Sequence, residues 1–598
     1  MKHKFLLIGV GCAVIASVGA AAVYFNPTTF VPLAGMAVNY WRSRSAPAGT
    51  TTTELAVPSA AVTDSSVRPN AATPASVSSE DWGSYNKTLT SERYASLNQI
   101  NTQNVGGLRV LCTYDTKQYT SFESGLIMVN SSLIGTTEHD IFSLDPATCA
   151  EKWRTHEDYK PANLLAVNRG AAYLDGRLFR GTQDGRVLAY DFKTGKRLWQ
   201  TVIADPKLSE TTPSAPIAWN GLVFIGNAGG DSKGVKGRMY ALDATTGAIV
   251  WEFYLVPRMP GDQTRGPQGA TPLTRESWEN DPRTPISGGA TWTSYTLDPA
   301  TGELYVPGGN PAPDFVDKVR GGENLYTGSV VVLDAKTGAY KNHFKLVPKD
   351  WHDWDVSSAP ALIHTRVGRT LLSVAPKDGH LYGIDLADNK VVYRTPATRI
   401  ENADQPFSQS ADVHFCPGSA GGAEWNGPAY DPPTNLVFIG EVDWCSTVRV
   451  ESDEKVQSVK PGASWTGTAM INPYNTMGLQ DPFGQWAGWV YAIDADTGAW
   501  KWRLKSNYPV TSGMTPTGGG LVFFGDMGGN LYAIDKMDGK PLWHQKIGGG
   551  IGGGVITYTS NGVQKVAVAT GFTSILWPTE VVTAKVIVLG LGKAIDSK

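Results

Sequence analysis

The sequence carries little net charge and few cysteines. Its formal net charge is −3 over 598 residues, which gives no reason to expect a nucleic-acid partner. None of the five cysteines stands in a Cys-x-x-Cys pair, and this excludes a c-type haem attachment site and a zinc ribbon. Charged residues are scarce and aromatic residues are absent between residues 45 and 79, where Ala, Thr, Ser, Pro and Val predominate. Such a composition cannot build a core and is typical of an extended linker.

The N-terminus predicts export. An uncharged apolar run of about one membrane thickness covers residues 5–25, and two lysines precede it. A cleaved secretory signal and an uncleaved membrane anchor both fit this pattern, and both export the rest of the chain. We therefore predict a signal peptide or a single membrane anchor at 1–26, a linker at 27–80 and a folded periplasmic domain at 81–598.

Four cysteines follow Cys12, and an even number in an exported chain suggests disulfides. The pairs that are nearest in sequence, Cys112–Cys149 and Cys416–Cys445, are the simplest choice. Loops of this length would each stabilise the folded state by ~3–4 kcal/mol in the chain-entropy model.

Glycine is abundant and separates short apolar runs, which favours an all-β protein. One pattern recurs: an apolar residue and Asp, a Thr-Gly-type turn, and a run that in most copies ends in an aromatic residue. This is the pattern of a strand, a tight turn and a returning strand. The four best-spaced copies recur at roughly 40–50 residues, the period of propeller blades. The seven copies begin at Leu144, Tyr190, Leu242, Leu333, Ile384, Ile493 and Ile534.

The two ends of the domain predict an eighth blade. Segments 554–570 and 583–591 can pair with a strand from the start of the domain, which closes the ring and removes the free sheet edge. We therefore predict one eight-bladed β-propeller. Two larger gaps in the repeat, 256–287 and 450–483, are predicted to be insertions within single blades that form walls or a lid over the axial funnel.

The acidic segment that contains Asp353 and Asp355 is the first candidate for chemistry. If it is a strand end, alternation places both carboxylates on one face. Two carboxylates at such a short distance require a nearby cation or a shared proton. A second candidate is the turn at 226–231, whose small residues, Ala228 and Gly229 among them, let a flat ligand approach the backbone.

Other polar residues stand where a blade needs none. Together they predict an oxygen-rich cation site, two fixed positive charges and a large flat aromatic ring, a set that suits a planar polyanionic cofactor. The cation site comprises Asp231, Asn310, Asp353 and Asp355, the positive charges are Arg169 and Lys377, and the aromatic residue is Trp292.

From about Asp81 onward the chain resembles the quinoprotein alcohol dehydrogenases, the pyrroloquinoline quinone (PQQ) enzymes typified by methanol dehydrogenase. It is most similar to the polyvinyl-alcohol-dehydrogenase branch, judged by HDWDVSSAP from His352 and GGAEWNGPAYDP from Gly421. The repeat and the spacing of Trp292 to Asn310 also match. The resemblance implies a propeller of tryptophan-docking repeats, PQQ with Ca²⁺ or alternatively a lanthanide ion, and hydride transfer from an alcohol to PQQ.

The resemblance also implies roles for particular residues. Carried over by position, Asp353 is the catalytic base. The implied metal ligands are Asp231, Asn310 and Asp353, with Asp355 associated with lanthanide sites. The residues implied to contact PQQ are Arg169, Ala228, Gly229, Trp292, Lys377 and Glu424.

Three departures from the family pattern stand out, the first at the metal site and the other two at the cofactor cap and the substrate pocket. Asp231 stands where the family has Glu and is one methylene shorter. Asn163-Leu164 replace the adjacent cysteines that cap the quinone in methanol dehydrogenase, and a Trp that lines the methanol site is replaced near Thr511. A roomier pocket of this kind favours a bulky secondary alcohol: a polymer hydroxyl, a sugar alcohol or a polycyclic hydroxyl.

The partners and the alternative function follow from the same features. Without a haem site of its own, the enzyme is predicted to pass electrons to an external cytochrome c or quinone. The alternative is a cofactor-free propeller scaffold of the outer-membrane-assembly type, which shares the repeat. A scaffold needs neither the polar set nor the two insertions, so these features favour the enzyme.

Overall fold

The computed structural model describes residues 81–163, 165, 167–269, 275–470 and 477–592. The predicted signal or anchor at 1–26 and the predicted linker at 27–80 lie outside these residues. Over the described ranges, no helix is both long enough and apolar enough to cross a membrane.

Four-stranded antiparallel sheets account for most of the strands, and the described residues contain eight of them. We number the sheets along the chain. Sheet 1 consists of Ile127–Val129, Ser132–Thr136, Asp140–Leu144 and Glu151–His156, and sheet 2 of Ala172–Leu174, Arg177–Gly181, Arg186–Asp191 and Arg197–Val202. Sheet 3 consists of Ile217–Trp219, Leu222–Gly226, Arg238–Asp243 and Ile249–Tyr254, and sheet 4 of Thr296–Asp298, Glu303–Pro307, Ser329–Asp334 and Tyr340–Lys345. Sheet 5 consists of Ala361–His364, Thr370–Val374, His380–Asp385 and Lys390–Pro396, and sheet 6 of Ala429–Asp431, Leu436–Asp443, Ala487–Asp494 and Trp500–Ser506. Sheet 7 consists of Thr515–Pro516, Leu521–Gly525, Asn530–Asp535 and Pro541–Lys546, and sheet 8 of Leu108–Asp115, Val555–Ser560, Val563–Thr570 and Lys585–Leu591.

The remaining elements are short and lie mainly in the connections. The smaller sheets pair Glu279–Asn280 with Arg320–Gly321, Ser287–Gly288 with Pro311–Ala312, and Ser446–Val448 with both Val413–Phe415 and Leu479–Gln480. One α-helix is present in the described residues, Asp453–Ser458. The 3₁₀ turns are Val105–Gly107, Pro206–Leu208, Arg275–Ser277, Asp317–Val319 and Phe483–Gln485.

Hydrophobic clusters join each sheet to its neighbours. Consecutive sheets from 1 to 8 share buried cores. Sheet 8 also packs against sheet 1, where Tyr558 and Val586 meet Phe142 and Leu144. This propeller-like arrangement confirms the predicted all-β class.

The strand pairing of sheet 8 confirms the predicted joining of the two chain ends. Leu108–Asp115 from the start of the domain pairs antiparallel with Lys585–Leu591 from its end. Both predicted disulfides, Cys112–Cys149 and Cys416–Cys445, are also present.

The repeat joins the third and fourth strands of sheets 1 to 7, as the strand–turn–strand prediction requires. In one copy, Oδ1 of Asp243 accepts hydrogen bonds from the backbone N and the hydroxyl of Thr246, at 2.7 and 2.9 Å. Trp199 of the preceding sheet donates from Nε1 to the carbonyl of Ala244 at 3.1 Å. Gly247 has φ of +74°, and a Cβ there would lie 2.6 Å from the Trp199 ring. A glycine is therefore required at 247 for two reasons: the left-handed backbone conformation and the close contact with the Trp199 indole.

We expect Gly247→Ala to destabilise the protein by about 2–4 kcal/mol, since it adds an overpacked contact to left-handed strain. Gly221→Ala is the matched control, because Gly221 has φ of +79° and a Cβ there would meet no atom within 4 Å. It should cost only the strain of about 1–2 kcal/mol. Chemical denaturation measures both, and equal losses would contradict indole docking as the reason for this glycine.

The two predicted insertions differ in position. Segment 256–287 was predicted within a single blade, but it lies between sheets 3 and 4, because sheet 3 ends at Tyr254 and sheet 4 begins only at Thr296. Segment 450–483 lies between the second and third strands of sheet 6, as predicted. It extends to the loop of sheet 3, where the backbone of Trp465 donates to the carbonyl of Asp231 at 2.6 Å.

Candidate active site

The predicted site residues lie on loops at one end of the sheets. Arg169, Trp292 and Glu424 precede the first strands of sheets 2, 4 and 6. Asp231, Asn310 and Lys377 lie between the second and third strands of sheets 3, 4 and 5. In an antiparallel sheet, the start of the first strand and the turn between the second and third strands are at the same end. The topology therefore gathers side chains that are far apart in the sequence.

The acidic segment connects sheets 4 and 5 and is not a strand, so the premise of strand alternation is wrong. Its shape comes from Asp350, whose carboxylate accepts hydrogen bonds from the backbone N of His352 and of Trp354, both at 3.0 Å. Asp353 lies between them with φ of +69°, a left-handed conformation that costs roughly 1–2 kcal/mol for a residue with a Cβ. Asp350 thus holds the backbone from which the Asp353 side chain projects.

Asp353 and Asp355 nevertheless face one cation. Lys377 Nζ lies 3.2 Å from Oδ2 of Asp353 and 2.9 Å from Oδ2 of Asp355. Oδ1 of Asp355 accepts a hydrogen bond from the backbone N of Asn310 at 2.8 Å. Gly309 permits this approach, since a Cβ there would lie 2.6 Å from Oδ1 of Asp355. Burial acts to lower the pKa of Lys377, but the two aspartates outweigh it and raise that pKa well above its ordinary value.

A cluster of three carboxylates adjoins this pair. Ligand atoms of Asp231, Asp314 and Asp353 all lie within 4.8 Å of one another. Burial, together with the charge of Asp355, raises the pKa of Asp231 to about 6. Burial also raises the pKa of Asp353 and of Asp314 well above the ordinary range. Carboxylates that are this costly to ionise together form a set that a cation would stabilise.

Asp314 was not among the residues predicted from the sequence. It follows Asn310 in the run Asn-Pro-Ala-Pro-Asp, which reads as a turn. The only signal in the sequence is its position four residues after a predicted ligand.

Two cations lie close to the ring of Trp292. The Arg169 guanidinium carbon is 4.6 Å from the Trp292 ring centroid and Lys377 Nζ is 5.5 Å from it. Arg169 also forms an ion pair of 2.5 Å with Glu123, another residue that the sequence did not suggest. Burial raises the pKa of Glu123 to about 7 against the lowering effect of Arg169. Glu123 precedes the first strand of sheet 1, the position that Arg169 occupies in sheet 2.

For the other residues predicted to contact the cofactor, the structure gives less direct evidence. Glu424 is buried, and burial raises its pKa to about 8 although Lys377 opposes the shift. The backbone of Ala228 pairs with Thr211, and a Cβ at Gly229 would lie 2.5 Å from the carbonyl of Ser209. Chain packing therefore accounts for the glycine at 229, and the contact of Ala228 and Gly229 with a cofactor stays a prediction. Thr511 is fully buried, whereas Leu164, at the position of the family's cap, lies outside the described residues.

A cluster of aromatic side chains extends from Trp292. The ring packs against a buried group that includes Trp425, Trp444, Trp486 and Trp577. The sequence showed the abundance of tryptophan but not this convergence, because the four residues come from three connections that are far apart in the sequence. They form an apolar wall beside the charged site.

These side chains fit a quinone cofactor and its metal ion. Carboxylate and amide oxygens are the donors that hard cations require, and the carboxylates of Asp231, Asp314 and Asp353 converge. The flat ring of Trp292, with two cations close to it, suits a planar anionic ring system. The fold and the site together define a cofactor-dependent oxidoreductase built on a propeller-like scaffold.

Comparisons with known proteins agree with this class. The family profile described as "Glucose/ethanol/alcohol dehydrogenase, beta-propeller domain" matches residues 82–404, more than half of the chain. The dehydrogenase subunit of a quinone alcohol dehydrogenase from Acetobacter aceti is 31% identical over 550 residues, which cover 82% of this chain and 71% of that protein. The chain belongs to the PQQ-dependent alcohol dehydrogenase family, and the predicted enzyme class is confirmed.

Other relatives and solved structures are similar to comparable extents. A lanthanide-dependent methanol dehydrogenase from Methylacidiphilum fumariolicum is 30% identical over 82% of this chain and 84% of that protein. Among solved structures, a quinohemoprotein alcohol dehydrogenase from Pseudomonas putida HK5 has a TM-score of 0.77 at 26% identity and covers 87% of this chain and 81% of that one. A europium-containing methanol dehydrogenase has a TM-score of 0.74 at 26% identity and covers 86% of this chain and 98% of that one.

A second family profile, described as "Outer membrane protein assembly factor BamB", matches residues 487–575. This segment covers part of sheet 6, sheet 7 and part of sheet 8 and contains none of the candidate site residues. The match is therefore accounted for by the shared repeat.

Proposed function

We propose that this chain is an exported, periplasmic PQQ- and metal-dependent dehydrogenase of a bulky, secondary alcohol. The observation that carries the proposal is the convergence of Asp231, Asp353 and Asp355 on Lys377 and Trp292. We further propose that the eight sheets are the blades of one closed ring over residues 81–598, since sheet 8 packs against sheet 1.

The cofactor would occupy the space next to Trp292. Trp292 would cover one face of PQQ, and the residues proposed to bond its edge are Arg169 with Glu123, Lys377, Glu424 and the backbone at Ala228 and Gly229. Asp231, Asn310 and Asp353 would hold Ca²⁺ or a lanthanide ion. When bound, PQQ supplies the two-electron acceptor and the metal supplies Lewis acidity at its carbonyl.

The remaining task of the protein is to take the hydroxyl proton of the alcohol. The sequence favoured Asp353 for this role, but we assign it to Asp355. Asp353 lies in the three-carboxylate cluster, where a metal would occupy its oxygens. Asp355 is outside that group, and its carboxylate lies 2.9 Å from Lys377 Nζ and 2.8 Å from the backbone N of Asn310. It can act as a general base that Lys377 holds in place.

The aromatic wall supports a bulky substrate. Trp425, Trp444, Trp486 and Trp577 form an apolar cluster next to Trp292, and apolar surroundings suit a hydrocarbon-rich secondary alcohol, whether a polymer or a polycyclic molecule. Electrons would leave to a separate cytochrome c or quinone, because the sequence contains no Cys-x-x-Cys haem site. The two disulfides support an oxidising compartment.

Dye-linked alcohol oxidation tests the proposal. The purified protein is assayed without additions, with PQQ alone, and with PQQ plus Ca²⁺ or La³⁺, on methanol and on a panel of polymeric, sugar and polycyclic alcohols. We expect activity only with PQQ and a metal, and a higher kcat/KM on a bulky secondary alcohol than on methanol. Absence of activity under every combination would refute the proposed dehydrogenase activity. A preference for methanol would refute the proposed substrate class.

A further inference from the structure

Asp314 is a buried carboxylate without a bonding partner. Its side chain is fully buried, and neither Oδ1 nor Oδ2 has a hydrogen-bond partner in the part of the chain that the structure describes. Burying an unpaired carboxylate costs several kcal/mol. Its nearest acidic neighbours, Asp231 and Asp353, increase that cost, since ligand atoms of the three lie within 4.8 Å of one another.

The nearby arginine does not pair with this side chain. Arg320 donates instead to the backbone carbonyls of Pro313, Asp314 and Asp350, at 2.8, 2.8 and 2.7 Å, and to the side chain of Asn324 at 3.0 Å. Arg320 thus joins the loop that carries Asp314 to the loop that carries Asp353. It fixes both backbones and leaves the Asp314 carboxylate directed at the cluster.

The sheet 6 insertion holds the same loops from the other side. Thr466 accepts a hydrogen bond at its carbonyl from the backbone N of Phe315, 2.9 Å away, next to Asp314. Trp465 donates from its backbone N to the carbonyl of Asp231 at 2.6 Å. Asp231 and Asp314 are therefore positioned by consecutive residues of one segment, which keeps the two carboxylates at a fixed separation.

We propose that Asp314 is a ligand of the metal ion and that it makes the site selective for a trivalent lanthanide over Ca²⁺. The charge balance supports this selectivity. Asp231, Asp314, Asp353 and Asp355 carry four negative charges when ionised, and Lys377 offsets one of them. A trivalent ion neutralises the remainder, whereas Ca²⁺ leaves one negative charge buried. Asp314 also supplies a carboxylate at a site where Asp231 is shorter than the glutamate of the family. The inference rests on the proposed function, because it requires the metal site.

Metal binding by the full-length protein tests the inference without an assay of turnover. The protein is freed of metal with a chelator and titrated with Tb³⁺, whose luminescence is excited through tryptophan, and with Ca²⁺ by calorimetry. We expect wild type to bind Tb³⁺ at least about 100-fold more tightly than Ca²⁺, following the charge count of the ligands. Asp314→Asn should weaken Tb³⁺ binding by about 100-fold. The same substitution should weaken Ca²⁺ binding by only about 20-fold, since the Coulomb energy scales with the charge of the ion.

Asp317→Asn is the matched control, because Asp317 is exposed in the same loop and the change of charge is identical. It should leave both affinities unchanged. Tb³⁺ affinity of Asp314→Asn within about threefold of wild type would overturn the ligand role, and equal wild-type affinities for Tb³⁺ and Ca²⁺ would overturn the selectivity. Neither result would contradict the proposed function. Wild type that binds neither ion would instead refute the metal site on which that function depends.

Discussion

Asp355→Asn is expected to lower kcat by about 10³-fold while PQQ stays bound, since a positioned general base contributes roughly 10²–10⁴ to a rate. The amide keeps the size of the side chain and can still accept the hydrogen bond from the backbone of Asn310. It cannot take the hydroxyl proton, and it removes one of the two carboxylates that face Lys377. The measurement is kcat in the dye-linked assay at saturating metal, with bound PQQ quantified by its absorbance.

Asp353→Asn separates the two candidate bases. If Asp353 is a metal ligand, this variant should need more metal for half-maximal activity but recover most of its kcat at saturating metal. The opposite pattern, with kcat lost in Asp353→Asn and retained in Asp355→Asn, would return the base to Asp353, the residue that the sequence favoured. Loss of PQQ from either variant would show that the carboxylate binds the cofactor.

The fold was predictable because its signals are local. The turn at Asp243 and Thr246 is specified by adjacent residues, and the same bonds recur in other copies of the repeat. The pairing of Leu108–Asp115 with the last strand followed from the need to remove a free edge. The position of segment 256–287 was not predictable, because the sequence does not mark which strand of sheet 4 follows it.

The residues of the candidate site could be singled out from the sequence only where a residue stood out from the repeat. Lys377 and Trp292 did so, as polar or bulky residues in otherwise small-residue loops. Glu123 and Asp314 did not, because their importance depends on distant partners: Arg169 for Glu123, and Asp231 and Asp353 for Asp314. The left-handed conformation of Asp353 was hidden for the same reason, since it depends on the hydrogen bonds of Asp350 to the residues on either side.

Lys377→Met is expected to destabilise the metal-free protein by about 3–5 kcal/mol at pH 8, the usual cost of breaking a buried ion pair. The variant leaves Asp353 and Asp355 facing each other without a cation. The pKa of Asp353 is already raised by burial, and the loss of Lys377 raises it further. A carboxyl whose pKa is higher in the folded state stabilises the fold at pH values below its unfolded pKa, and this stabilisation is lost as the pH rises through the folded pKa. The cost of the substitution should therefore be smaller at acidic pH and grow as the pH rises.

A second buried lysine provides the control for this prediction. Lys536 pairs with Asp431 at 2.9 Å, away from the candidate site. Lys536→Met should also destabilise the protein, but La³⁺ should not restore its stability. In Lys377→Met a bound cation can replace the missing charge, so saturating La³⁺ should recover much of the loss measured by denaturation. Because the ion cannot hold Asp355 in place as Lys377 does, turnover should stay low even where stability returns. If La³⁺ rescues both variants equally, or neither, then Lys377 does not share its two carboxylates with a metal ion.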